Sequence, residues 1–561
     1  MPHFGQPLTP LRRAPRRSLF SRALSLAALL LLLGAGAASW VTPARAQVDT
    51  TGTEGLPVKY AYRFTEARHK YNILNLRGAL TDYRSLLEEL PDDARILLWM
   101  ARCHYGLRRE DLAWEYLERV AKVDPQLAES ERRFQGQTLH RLGRYEEALD
   151  VFQLHLAFDD PKGDDRAEVE RWMLECRRAW AASEAGVPNY PSQDLGLEVN
   201  SRFDEYGPHW SPDGNAVGFT SRRDGGLNGA LDTEGDFRFF SDIYVTQRTA
   251  GGWSRAVLMP GAVNTMGYDD LLAWPASGNS LLIYRNNAEL AGDICVSLRQ
   301  EDGNWGDATK LPKPINTSYF EGSTSISTDG AKMFFVSERP TGLGRCDLYV
   351  SEKRGEGWTQ PVTLGAPVNT PGDEKFVQAL GDGRVILFAS EGHAGFGDYD
   401  LYRTEWVDGG WSVPTNLGLG INGPREESTV SLSADGNSLL LAAERFQGLG
   451  ERDLYLLDVS RHPRLGARAT AVQAGTLTVA VAIPAGGRSA AGVKVRVFDT
   501  ATGGSVLAEG TCDRQGQVTF RLADNVVYHI EAQVGDRVVR KPWSLERTGS
   551  GSFAETFSLN W

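Results

Sequence analysis

The chain has 561 residues, 24% of them charged and 41% hydrophobic. That is long enough for several domains and too ordinary in composition for wholesale disorder. A formal net charge of -12 makes nucleic acid and anionic lipid poor partners, and the plain reading of the acidic surface is solubility.

Residues 1–46 read as a secretory signal peptide. Arg12, Arg13, Arg16, Arg17 and Arg22 form a basic start, Ala23 to Ala38 an apolar core, and Ala44-Arg45-Ala46 a cleavage site. The alternative, a retained anchor helix, suffers from an apolar run that is short for a membrane span. No cysteine stands near the cleavage point, so a lipid anchor there is not expected. Cleavage removes six arginines and no acid, taking the formal charge to -18. No later segment is apolar enough to cross a membrane.

Residues 55–185 read as helices, with apolar positions recurring at three and four, as in Leu97, Leu98, Ala101 and Tyr105. Small residues recur as Ala79, Ala113 and Ala148, and helix-ending prolines as Pro91, Pro125 and Pro161, at a period of 34 to 36 residues. The fullest copy is Leu142-Gly143-x-Tyr145-x-x-Ala148-x-x-x-Phe152. This resembles tetratricopeptide repeats, which implies three helix pairs and a capping helix near Arg166 to Ala182. Such an array offers a groove for a peptide or partner domain; the rival reading is a packing platform for the region that follows it in the chain.

Residues 193–462 contain one pattern, about 53 residues long, five times over. Asn200, Asn264, Asn316, Asn369 and Asn422 open the copies, and a carboxylate stands five residues later: Glu205, Asp269, Glu321, Glu374, Glu427. A turn precedes an apolar strand at Asp213-Gly214, Ser277-Gly278, Asp329-Gly330, Asp382-Gly383 and Asp435-Gly436. Then come Asp242-Ile243-Tyr244 and its counterparts at Asp293, Asp347, Asp400 and Asp453, and in four copies a tryptophan: Trp253, Trp305, Trp358, Trp411. Short strands at a fixed period predict propeller blades. The fifth copy lacks the tryptophan motif, while Leu195-Gly196-Leu197-Glu198-Val199-Asn200 matches Leu417-Gly418-Leu419-Gly420-Ile421-Asn422. The N-terminal segment is therefore expected to complete the last blade, removing free sheet edges. Five blades are predicted, six being the alternative. Trp210-Ser211-Pro212-Asp213-Gly214 with Asp242-Ile243-Tyr244 resembles the WD-like repeat of TolB-type propellers, a resemblance specific for fold and weak for function.

Residues 469–561 turn to short alternating strands, such as Val493-x-Val495-x-Val497 and Val518-x-Phe520, with Gly516 and Tyr528-x-Ile530-x-Ala532. These resemble the carboxypeptidase regulatory-like β-sandwich, which implies a non-catalytic spacer or binding module.

No G-x-S-x-G elbow, H-E-x-x-H or phosphate-binding glycine loop occurs, the nine histidines are scattered, and no cofactor is expected. Cys103, Cys176, Cys295, Cys346 and Cys512 lack C-x-x-C and metal spacing; mostly buried thiols are expected, with Cys103–Cys176 the one disulfide worth testing. Two acidic features remain. Glu205, Asp269, Glu321, Glu374 and Glu427 are expected to ring one mouth of the channel; the rival reading has each cap its own blade or pair with an arginine such as Arg222, Arg339 or Arg445. The insertion Arg222 to Phe240 offers Asp232, Glu234 and Asp236 as weak Ca²⁺ ligands, against a plain solvated loop. Its Phe237, Phe239 and Phe240 are candidates for contact with a partner, or for packing against the helices.

The order signal, helical repeats, propeller, sandwich resembles bacterial envelope proteins linked to type IX secretion, which commonly add an OmpA-like domain absent here. That departure puts direct peptidoglycan binding in doubt. The resulting expectation is a non-enzymatic scaffold for envelope or secretion-complex proteins, located in the periplasm with outer-membrane association as a variant. The alternative is a carbohydrate or peptide receptor using the propeller face.

Overall fold

The computed structural model describes residue 53 and residues 56–560, apart from 160, 189, 234, 287–290, 356, 446–447, 466–473, 483–489, 500–505, 524–526, 535–536 and 545–553. The expected signal peptide and Glu234 lie outside the described residues. No helix among the described residues is long and apolar enough to cross a membrane.

The N-terminal region is helical: α1 (Val58–Asn72), α2 (Leu76–Glu89), α3 (Ala94–Gly106), α4 (Glu110–Val123), α5 (Pro125–Ser130), α6 (Arg132–Arg141), α7 (Tyr145–Phe158) and α8 (Gly163–Glu184). Side-chain caps set several starts. Asn75 accepts from Gly78 N at 3.0 Å, and Asp93 from Arg95 N and Ile96 N. Pro125 does not end a helix but opens α5 behind the cap Asp124; its fixed φ and missing N–H suit the first helical position. Ala79, Ala113 and Ala148 are fully buried. Gly136 lets α6 and α7 approach, since a Cβ there would sit 2.4 Å from the Phe152 ring. All five cysteines are buried free thiols. The Cys103–Cys176 pair left open by the sequence is not bonded: Cys103 packs with Phe64, Tyr83 and Ile96, Cys176 in a separate core with Phe152 and Trp172.

Five antiparallel sheets come next. Sheet I holds Glu205–Trp210, Ala216–Ser221 and Asp242–Thr249, with Gly252–Trp253 and Val257–Leu258 on its outer edge. Sheet II holds Tyr268–Ala273, Ser280–Asn286, Ala291–Leu298 and Thr309–Lys310. Sheet III runs from Glu321–Ile326 through Lys332–Ser337 to Asp347–Arg354, and sheet IV from Glu374–Leu380 through Val385–Ser390 to Asp400–Val407, each with two short outer strands. Sheet V joins Glu427–Leu432, Ser438–Ala443 and Asp453–Asp458 to Ser192–Asp194, which comes from the other end of the region. Ser192 lies opposite Leu457 and Asp194 opposite Tyr455, so the N-terminal strand closes sheet V.

The first strands of neighbouring sheets touch in sequence around a ring, and that of sheet V returns to that of sheet I. Side chains stitch the joints: Leu271 N donates to Thr220 Oγ1 at 2.9 Å, Val377 N to Ser323 Oγ at 3.2 Å, Leu432 N to Gln378 Oε1 at 3.0 Å and Gly207 N to Thr429 Oγ1 at 3.1 Å. This is a propeller-like architecture.

The repeated asparagines explain how one sheet hands the chain to the next. Asn316 accepts from Ile294 N at 3.0 Å and donates to Ile294 O at 2.8 Å, gripping the third strand of the preceding sheet. Asn264, Asn369 and Asn422 do the same to Ile243, Leu348 and Leu401. Asn200 grips Leu454, 254 residues away, and so acts as the clamp of sheet V. These are buried groups, where a lost partner costs about 1–3 kcal/mol.

Beyond the ring, Ala474–Ala482, Gln517–Ala523 and Ala554–Asn560 form one sheet, and Lys494–Asp499, Val506–Thr511, Val527–Val534 and Arg537–Ser544 another. Val479, Val495, Val497 and Ile530 are fully buried there, the inward half of each alternating strand.

Candidate functional site

The repeated carboxylates are buried inside their own repeats. Glu205, Asp269, Glu321 and Glu374 have no exposed surface and Glu427 has 5%. Glu321 accepts from Thr317 N and Oγ1, from Ser337 Oγ at 3.1 Å and from Arg339 at 3.1 Å. Glu205 repeats the arrangement with Ser201, Ser221 and Arg223. The arginine there is Arg223 and not Arg222, whose guanidinium holds Asp236. Asp269 takes Arg285 Nε at 2.6 Å. Glu374 keeps Thr370 and Ser390, but no arginine. Glu427 accepts from Gly423 N, and among the described residues no arginine hydrogen-bonds it, Arg445 stacking on Tyr455 instead. Burial pushes Glu374 up to about 8 and Glu427 well above the carboxylate range.

The 222–240 insertion folds onto sheets I and II. Asp232 accepts from Gly235 N at 2.9 Å and from the Tyr268 hydroxyl at 2.5 Å; Asp236 is held by Arg222 at 2.6 and 2.8 Å. Both carboxylates are thus occupied by protein donors. Phe239 meets Phe203 edge-on at 5.4 Å and Phe240 lies 4.8 Å from Tyr268. Phe237 is half-buried with φ 59°. Phe239 and Phe240 therefore pack on the ring itself and not on the helices. Among the described residues, no group of His, Cys, Asp and Glu is placed to hold a metal.

The helices dock on sheets IV and V through their turns. Arg108 pairs with Glu444 at 3.2 Å, and Glu110 sits between Arg425 at 2.8 Å and Arg141 at 3.5 Å. Arg141 also pairs with Asp398. His140 Nε2 is 2.8 Å from Phe396 O, and Phe396 packs with Ala179, Ala182 and Leu419. Burial pushes Glu175 up to about 8 and His140 down to about 4, so these two are neutral at pH 7.

On the ring axis lies a cavity of about 90 Å³. Its lining comes from the residues beside the repeated carboxylates: Tyr206, Asp270, Lys375, Glu426 and Ser428, with Phe320, Phe376 and Arg452. Every first strand carries a register break at this level, between Tyr206 and His209, Leu271 and Ala273, Gly322 and Thr324, Glu374 and Phe376, and Glu427 and Thr429. A bulge re-aims the extra residue, and Gly207, Leu272, Ser323, Lys375 and Ser428 all line the cavity. Asp270 is 2% exposed; the Tyr206 hydroxyl donates to its Oδ1 at 2.9 Å, while its Oδ2 has no hydrogen-bond partner. Burial pushes it up to about 6. Arg452 is committed to Asp204 at 2.6 and 2.7 Å. Lys375 Nζ lies 3.9 Å above the Tyr399 ring, with no carboxylate of the described residues in ion-pair contact. The sequence pattern singles out the repeated fifth position and passes over its neighbours. The available signal was variation: the sixth position reads Tyr206, Asp270, Gly322, Lys375 and Ser428, and a position that changes in every copy is not needed to build the repeat.

No family model matches the chain, and no curated protein matches it. Among solved structures, it is similar to TolB from Acinetobacter baumannii at 14% identity and TM-score 0.25, over 53% of this chain and 70% of that one. A periplasmic gluconolactonase from Pseudomonas aeruginosa gives 14% and 0.27, over 45% and 88%. An α-L-arabinofuranosidase from Lactobacillus brevis gives 13% and 0.29, over 47% and 92%. Likenesses of this size assign neither family nor activity; the propeller-like architecture rests on the order of the sheets and the contacts around the ring.

Proposed function

We propose that this protein is an exported, non-enzymatic scaffold of the bacterial envelope. In this reading a tetratricopeptide-type array and a five-bladed propeller form one interaction platform, with a regulatory-like sandwich behind it. The observation that carries it is the docking geometry. The array meets the ring through the turns α3–α4 and α6–α7 and through α8, using buried charges. Its first helix remains open, with Val58 at 87% and Tyr62 at 67% exposure. A platform fixed at one end and open at the other suits a partner protein. Occupation of the repeated carboxylates by hydroxyls, amides and arginines supports a structural role for them. Acid–base catalysis needs two carboxylates in distinct, substrate-facing environments.

Cross-linking mass spectrometry on tagged protein in native envelopes tests this. Reproducible links from α1 and α2 to one envelope complex are expected. A protein found only in self-links, in a fraction shown to contain it in the periplasm, overturns the scaffold reading.

A further inference from the structure

The axial cavity is lined by a buried acid, Asp270, and by Lys375, whose ammonium makes no ion pair among the described residues but lies near enough to Glu426 to hold that carboxyl down. Asp204 and Arg452 neutralise one another through two hydrogen bonds, with Glu426 3.8 Å from the same arginine. Arg222, the cation on the far side of Asp270, spends its donors on Asp236 and on Phe239 O. The Ser241 hydroxyl beside Asp270 makes no hydrogen bond of ordinary geometry. Asp270 Oδ2 is therefore a buried acceptor with no well-placed donor, and a lone buried carboxylate oxygen is costly to maintain. Lys375 sits on the bulge of sheet IV and lines the same cavity, with its ammonium against the face of Tyr399. The rest of the lining combines apolar groups, Leu271, Leu272, Phe320 and Phe376, with polar ones that include Tyr206 and Ser428.

We propose that this cavity binds a small zwitterion, an amino acid or compact peptide-like molecule whose ammonium is held by Asp270 and whose carboxylate is held by Lys375. The five bulges supply the construction: each first strand gives up regular pairing at the level where its side chain meets the axis. The small volume restricts the occupant to a few heavy atoms between the two charges. His209, another titratable group on the wall, stays neutral because burial holds it down at about 4, so it does not compete for the carboxylate. Cys346 likewise stays a thiol. This inference stands apart from the scaffold reading, since it concerns the ring axis and not the helices.

The test is titration calorimetry of the full chain with a series from glycine and L-alanine through 4-aminobutanoate to 6-aminohexanoate, with alanylalanine, butylamine and butanoate alongside. One or more zwitterions bind, and the singly charged analogues of the same length bind more weakly. Asp270→Asn and Lys375→Met each weaken the zwitterion by roughly tenfold or more, the size of a lost charge-assisted hydrogen bond. Lys375→Met leaves butylamine binding unchanged, and Asp270→Asn leaves butanoate unchanged. Asp270→Asn removes a buried charge and keeps the shape, and its thermal melt checks folding; Lys375 is only half-buried and gives an independent variant. Absence of binding across the whole series, or wild-type affinity in both folded variants, overturns the proposal.

Discussion

Sheets I to III and sheets IV and V solve the same problem differently. In the first three, the buried carboxylate of the repeat meets an arginine: Glu205 with Arg223, Asp269 with Arg285, Glu321 with Arg339. Each of these arginines also donates to a backbone carbonyl just before the repeat asparagine, Val199, Val263 or Ile315. In sheet IV a histidine takes over the second task alone. His393 Nε2 lies 2.8 Å from Val368 O, and burial holds its pKa down, so it brings no charge to Glu374. In sheet V the hydroxyl and the strand serine are gone as well, replaced by Gly423 and Ala443. These two sheets are the ones on which the helices dock. With no cation beside it, a buried carboxyl is favoured in its protonated form, which needs no counter-ion. One repeat position thus has a guanidinium beside it in sheets I to III and none in sheets IV and V, where burial pushes its carboxyl up.

The contrast breaks most sharply at the ion pairs. Arg285→Met leaves Asp269 buried without a cation, and a loss of about 3–5 kcal/mol is expected in urea denaturation followed by tryptophan fluorescence. Glu321→Gln strands Arg339 in the same way. At the domain junction, Glu110→Gln leaves Arg425 and Arg141 facing each other without their shared acid. A loss of similar size is expected, about 3 kcal/mol, and limited proteolysis should then cut between the helices and the ring. A wild-type digestion pattern would show that the junction does not depend on that charge.

Closure comes next. Asn200→Ala removes both hydrogen bonds to Leu454 and should cost about 1–3 kcal/mol, read as a lower melting temperature. Hydrogen exchange should rise in Ser192–Asp194 and Asp453–Asp458 together, since these strands pair.

Glu374→Gln is read not as a single loss but as a change in the pH dependence of stability. Its folded carboxyl, raised to about 8, keeps a proton that the unfolded chain releases near the ordinary value of 4.5. Its contribution is fully present below pH 4.5 and is lost as pH rises through 8, with a slope of at most about 1.4 kcal/mol per pH unit. Glu374→Gln, neutral and of the same shape, should flatten that part of the stability profile. Urea midpoints from pH 5 to 9 check this, and an unchanged slope would place Glu374 among the ionised carboxylates.

Much of the architecture is legible in the sequence because it is periodic. The asparagines, the Asp-Gly turns and the Asp-Ile-Tyr strands each satisfy a local backbone requirement, and a local requirement repeats with the chain. The turn glycines Gly214, Gly278, Gly330, Gly383 and Gly436 share φ values from 70° to 75°, a region that Gly enters without Cβ strain. The match between residues 195–200 and 417–422 marks the closing segment, although the strand itself is Ser192–Asp194, just before it. Arg445 shows the limit. It stands where Arg223 and Arg339 stand in their repeats, yet it turns to Tyr455 and to Ser192 of the closing strand.

The sequence alone therefore determined the repeat unit and its period, because these depend on contacts within one copy or between adjacent ones. Only the tertiary structure decided which carboxylates stay charged, which cysteines share a core and which side chains reach the axis. Those outcomes depend on burial and on what a neighbouring element brings within a few ångströms. Asp270 and Lys375, on different sheets and 105 positions apart in the chain, face one cavity only because the ring closes.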